Sequence, residues 1–97
     1  MFRLWAKIWK DNHLLKDITI ENDEPTNRTK KVFASLEQAC DSFDLAVPIW
    51  LDKNISEFRR VSKTRFYGDS FIESIPFDYL EIQVIEEDDP LLSQDRA

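Results

Sequence analysis

Cys40 and His13 are the single cysteine and the single histidine of the chain. Together they bound the chemistry it can perform. A zinc site wants about three or four Cys, His or carboxylate ligands at suitable spacing. The acidic run Glu86-Glu87-Asp88-Asp89 could attract a hard cation loosely, but it lacks the glycine turn and spaced ligands of a calcium loop. A thiol nucleophile with an imidazole base would have to be Cys40 with His13. Cys40 falls on an apolar helical stripe, where a thiol acts as a small hydrophobe, and His13 falls in a turn. Ser56, Ser62, Ser70 and Ser74 lack a glycine elbow and share one histidine as base. Among 19 acidic residues, no spacing singles out a pair held across a cleft. Phosphate and dinucleotide loops need several glycines, and Gly68 is the only one. No metal, cofactor or catalytic set is expected, and the chain does not read as an enzyme.

Binding chemistry is richer. In "RLWAKIWKD", Arg3, Trp5, Lys7 and Trp9 alternate with Leu4, Ala6 and Ile8. One side of that strand is an ordinary core face. The other carries two tryptophans between cations. Tryptophan and arginine are enriched at interface hot spots, and an aromatic–basic sheet face also suits stacking on single-stranded nucleic acid. Against this, Trp50, Phe66, Tyr67 or the 52–65 segment could fold over the face and make it a second small core. A second candidate is the stretch Lys53, Arg59, Arg60, Lys63, Arg65, interleaved with Phe58, Phe66 and Tyr67. It reverses the sign of the chain locally and could bind phosphate or an acidic partner. It could equally pair with the protein's own carboxylates at 86–89.

The elements that must position these residues follow from pattern. Residues 2–10 and 14–22 read as strands by alternation. The triplet Asp11-Asn12-His13 reads as the turn between them. A three-residue loop pairs Trp9 with Leu15, Lys7 with Asp17, Trp5 with Thr19 and Arg3 with Glu21. That register sets opposite charges on the outer face and apolar pairs on the inner one, worth roughly 0.2–1 kcal/mol each. Val32, Phe33, Leu36, Cys40 and Phe43 form a helical stripe. It predicts a helix over 29–43 capped by Thr29 or Thr26 and ending before Pro48. "PIWL" reads as a short strand. Asn54 could cap a short helix with Ile55, Phe58 and Val61 inward. "TRFYGDSF" reads as a loop that could hold a short strand at 64–67, and a clear strand is expected at 77–86. The fold class is α+β: an N-terminal β-hairpin and a C-terminal strand in a mainly antiparallel sheet, packed on one main helix. Residues 1–87 make one compact domain, and 88–97 read as a disordered acidic tail.

With 97 residues, 42% hydrophobic and 33% charged, the chain is a single globular domain. Its formal net charge of −6 argues against bulk attraction to nucleic acid or anionic membrane. A lone cysteine allows no intrachain disulfide and fits a reducing compartment. There is no transmembrane run and no signal-peptide pattern, so a cytoplasmic protein is expected. The segments "FRLWAKIWKDNHLLKD", "PIWLDKNISEF", "SKTRF" and "FDYLEIQVIEED" together resemble a family of short bacterial proteins of Firmicutes type. The resemblance reaches about Asp88. It implies a compact single-domain bacterial protein and transfers no activity or site residue. The leading reading is a small non-enzymatic domain that binds a protein partner or a second copy of itself. The alternatives are an acidic inhibitor that mimics nucleic acid on a bacterial or phage enzyme, and an enzyme of unidentified type.

Overall fold

The computed structural model describes residues 1–87; the acidic tail expected at 88–97 lies outside the described residues. The chain runs β1 (Phe2–Lys10), β2 (His13–Asn22), α1 (Arg28–Ser42), α2 (Asp52–Val61), β3 (Lys63–Phe66), a short 3-10 turn (Gly68–Ser70) and β4 (Tyr79–Glu86). The four strands form one antiparallel sheet in the order β2-β1-β4-β3. This is the expected α+β class, with the C-terminal strand seated against the N-terminal hairpin. The short helix that Asn54 suggested is present as α2, so the sheet packs on two helices where one main helix was expected.

The hairpin register holds from Phe2↔Asn22 to Ile8↔Lys16, including Lys7↔Asp17 and Trp5↔Thr19. The loop differs. Asp11 and Asn12 both have positive φ, 51° and 63°, the left-handed pair of a two-residue type I′ turn. Lys10 then pairs with His13 and Trp9 with Leu14, and a bulge between Ile8 and Trp9 absorbs Leu15. A two-residue turn plus one bulged residue has the same parity as a three-residue loop. The facial pattern therefore survives a wrong turn assignment.

The inner face of the sheet carries Phe2, Leu4, Ala6, Ile8, Ile20, Leu80 and Ile82, all buried in one cluster with Val32, Leu36, Ala39 and Cys40 of α1 and Phe58 of α2. Both helices thus pack on the same side. The cap of α1 is Asn27, whose Oδ1 accepts from the Lys30 N–H at 2.9 Å, and neither threonine serves. The side chain of Phe33 leaves the stripe and is 51% exposed. "PIWL" is not a strand. Leu51 is the N-cap residue of α2, and Trp50 drives its ring edge-on against Phe33, Phe58 and Phe66. Of the residues expected inward on α2 only Phe58 is buried; Ile55 and Val61 are exposed.

Asn54 sits inside the first turn of α2 and is 1% exposed. Its Oδ1 accepts from the Leu51 N–H at 3.0 Å. Its amide donates to Thr64 Oγ1 at 3.0 Å and to the Arg65 carbonyl at 2.9 Å. One side chain thus starts α2 and ties it to the outer edge of β3, where an unpaired carbonyl would otherwise face a helix. Asn54→Ala is expected to strand these groups and destabilise the domain by about 1–3 kcal/mol, read as a lower urea midpoint with an unchanged slope. Asn54→Asp, which keeps the acceptor and loses both donors, should also destabilise.

Candidate functional site

Alternation places Arg3, Trp5, Lys7 and Trp9 of β1 on the sheet face away from the helices. Lys63 and Arg65 of β3 lie on the same face, with Tyr79, Glu81 and Gln83 of β4 between them. The two sequence candidates therefore meet in part. Lys63 and Arg65 join the tryptophan face, while Arg59 and Arg60 belong to α2. The basic stretch is not one patch. Lys53 pairs with Asp69 at 3.1 Å. Glu86 and Glu87 pair with Arg3 and Arg28 and with none of the stretch; Asp88 and Asp89 lie outside the described residues. Trp50 and Phe66 are on the helix side, so they do not cover the tryptophans. Tyr67 does reach the outer face, where its ring meets Tyr79 at 5.3 Å.

Cross-strand pairing sets the outer side chains in rows. The central row reads Asp17, Lys7, Glu81, Arg65 across β2, β1, β4 and β3, alternating in sign. Glu81 is its hub. Glu81 Oε1 accepts from Lys7 Nζ at 2.9 Å and from the Trp9 indole N–H at 3.3 Å. Glu81 Oε2 accepts from Arg65 Nε at 2.9 Å. Lys7 also donates to Gln83 Oε1 at 3.4 Å and lies 3.8 Å from the centre of the Trp5 ring. The Trp5 indole donates to Asp17 Oδ2 at 2.9 Å, and the Arg65 guanidinium lies over Tyr79 at 4.6 Å. Arg3 stands at ion-pair distance from both Glu21 and Glu86, 3.2 and 3.1 Å.

Lys7 and Glu81 are 6% and 3% exposed, although they stand on the open face. The neighbouring rings bury them. Burial alone would raise the Glu81 pKa, but hydrogen bonds from Arg65 and Lys7 and their charges outweigh it and hold the carboxyl below its ordinary range. The same bond to Glu81 holds the Arg65 guanidinium above its own range. Beside β3, Lys53, Lys63 and Arg65 line a polar depression of about 310 Å³, but Glu57 and Glu81 line it too. Two carboxylates in that space weaken it as a phosphate site.

Cys40 is fully buried, and burial pushes its thiol up to about 12. A protonated, inaccessible thiol is a poor nucleophile, and His13 is exposed at the hairpin. No group of three or more Cys, His, Asp or Glu is placed to hold a metal ion among the described residues. No helix among the described residues is long and apolar enough to cross a membrane. Tyr79, Glu81 and Gln83 are the members of the face that the sequence did not single out. The alternation of β4 held the signal for all three, once β4 was set beside β1. Compared with known protein families, curated proteins and solved structures, the chain matches none.

The row makes a stability prediction. A carboxyl whose pKa is depressed by folding stabilises the fold above its unfolded pKa, and that contribution is lost as pH falls through the folded value. Denaturation midpoints of the native protein should therefore fall below about pH 5. In Glu81→Gln this acid dependence should flatten. At neutral pH that variant should lose on the order of 3 kcal/mol, because Lys7 stays buried without its counter-charge. Lys7→Met should cost less, since Glu81 keeps Arg65. Equal losses in the two variants would contradict the assignment of Glu81 as hub.

Proposed function

We propose that this protein is a small interaction module that binds another protein through the outer face of its sheet and acts by binding, without catalysis. The observation that supports the reading is the one-sidedness of the fold. Both helices pack on one face of a four-stranded sheet. No described element covers the other, which presents Trp5, Trp9, Tyr67 and Tyr79. Sheets normally bury one face and solvate the other with small polar side chains. Large aromatic rings at the solvated face are the composition of a contact surface.

The charge pattern favours a protein over a nucleic acid. Lys7 and Arg65 are neutralised by Glu81, and Arg3 by Glu21 and Glu86, so three of the four cations of the face are engaged. Only Lys63 has no carboxylate within ion-pair distance among the described residues. A phosphate backbone would have to break those pairs. A protein surface can dock on the rings and leave them intact. The rings are also held before binding by the indole bonds to Asp17 and Glu81, which lowers the ordering cost of association. With the resemblance to short bacterial proteins and the single cysteine, this reading places the module in a bacterial cytoplasm.

Trp50→Phe isolates the emission of Trp5 and Trp9. In a monomer by sedimentation, iodide should quench that emission. A photo-crosslinking residue at Thr19, exposed beside Trp5, should trap a defined protein that the same residue at Glu37 on the helical side does not. Protection from iodide in a dimer would make the face a self-association surface and overturn the foreign-partner reading. Protection in a monomer would show the rings to be closed core and overturn it altogether.

A further inference from the structure

We infer that the groove between α1 and α2 is a second docking surface, which takes an acidic segment of a partner protein carrying leucine-like side chains. It lies on the helical side and is independent of the sheet-face reading. The groove has a volume of about 260 Å³ and is lined by Val32 and Phe33 from α1, Ile55 and Phe58 from α2, Trp50, and the arginines Arg28 and Arg59.

Its apolar surface is fixed. The ring of Trp50 meets Phe33, Phe58 and Phe66 edge-on at 5.8, 5.4 and 5.0 Å. Phe33 and Ile55 are nevertheless 51% and 38% exposed. Both are large side chains turned to the groove at positions where a helical stripe would be covered. On α1, Thr29 and Phe33 are one turn apart; on α2, Ile55 and Arg59 are. Residues at i and i+4 share a helix face, so both helices present a row to the groove.

The uncommitted charge comes from Arg59 and Arg60, since Arg28 is already paired with Glu87. Arg28 is held in place, its Nε donating to Glu87 Oε1 at 2.8 Å and its terminal nitrogen to Ser62 Oγ at 2.9 Å, with the guanidinium over the Phe58 ring. Arg59 and its neighbour Arg60 are exposed and have no carboxylate within ion-pair distance among the described residues. Planar guanidinium groups recognise carboxylates by paired hydrogen bonds. The occupant should therefore combine aliphatic bulk with carboxylates.

Size and shape distinguish a peptide from a small molecule. Cavities that enclose a drug-sized ligand run roughly 300–1,000 Å³, and this groove falls below that range. It is also continued by a shallower depression that shares Ile55 and Arg59 and extends to Asp52, Ser56 and Arg60. An apolar groove continued by a polar depression, with Arg59 and Arg60 at its margin, fits a helix laid into it, with apolar anchors one turn apart and acids facing the arginines.

The probe is a fluorescein-labelled, glutamate-rich peptide with leucines at i, i+3, i+4 and i+7, titrated into the full-length protein and followed by anisotropy. The same titration is followed by the indole N–H resonances of the three tryptophans. Saturable binding is expected, weakening with salt, with the Trp50 resonance moving and those of Trp5 and Trp9 still. The surface variant R59E/R60E should keep its dispersed spectrum and bind about tenfold more weakly or worse. A lysine-for-glutamate peptide should not bind. Absence of binding, binding indifferent to R59E/R60E, or shifts confined to Trp5 and Trp9 would each overturn the proposal. So would a shift of Trp50 in L91D/L92D without any peptide, because the groove would then be occupied by the chain's own last residues.

Discussion

The carboxylate of Glu81 is the interaction on which the outer half of the molecule is built. It accepts from a lysine on β1, a tryptophan on β1 and an arginine on β3, and so joins three strands through one side chain. A buried acid surrounded by two cations is not in general a better contributor to stability than an apolar residue of the same size. What it does provide is specificity of register. Shifting β4 by one residue against β1 would carry Glu81 into the apolar core and Leu80 or Ile82 onto the face with the cations. Few alternatives to the observed pairing would satisfy Lys7.

A sheet with helices on one side only has to solve the other side by itself. In layered folds the second face is covered by another element or is left to short polar side chains. Here long side chains lie flat and cover one another. Lys7 lies against the Trp5 ring and Arg65 over Tyr79, and the indole N–H groups reach carboxylates. The charged heads themselves lie over the ring faces, a cation–π arrangement in which each ring covers its cation. Lys7 and Glu81 become buried without any covering layer. The result is a stiff mosaic of rings and neutralised charges, a surface that can meet a partner with little rearrangement.

Much of this was legible from period alone. The alternation of β1, β2 and β4 fixed which residues share a face, and parity kept that assignment correct even though the turn is Asp11-Asn12 with a bulge at Leu15. What was not legible depended on contacts between distant segments. Asn54 reads as a cap in isolation, yet its side chain bonds Thr64 and Arg65, some ten residues on. The basic run 53–65 reads as one patch because its residues are neighbours in sequence. The chain turns from helix to strand at Ser62, whose positive φ of 56° reverses its direction, and so sends Lys63 and Arg65 to one side and Arg59 and Arg60 to the other. Glu81 was one acid among 19 until β4 stood beside β1.

That division has a consequence for how an acidic protein can use its cations. With a net charge of −6, long-range attraction to anions is absent, and any recognition of acids must come from local geometry. On the sheet face three of the four cations are committed: Glu81 takes Lys7 and Arg65, and Arg3 lies between Glu21 and Glu86. They stabilise that face but offer little charge to a ligand. On α2, Arg59 and Arg60 follow the buried Phe58 by one and two residues, so the helix that buries Phe58 carries them to the exposed side beside Ile55. Committed cations make a surface neutral and shape-selective, whereas uncommitted ones beside an apolar groove make it selective for acids. The two proposed contact faces of this small domain therefore differ in the chemistry they would recognise.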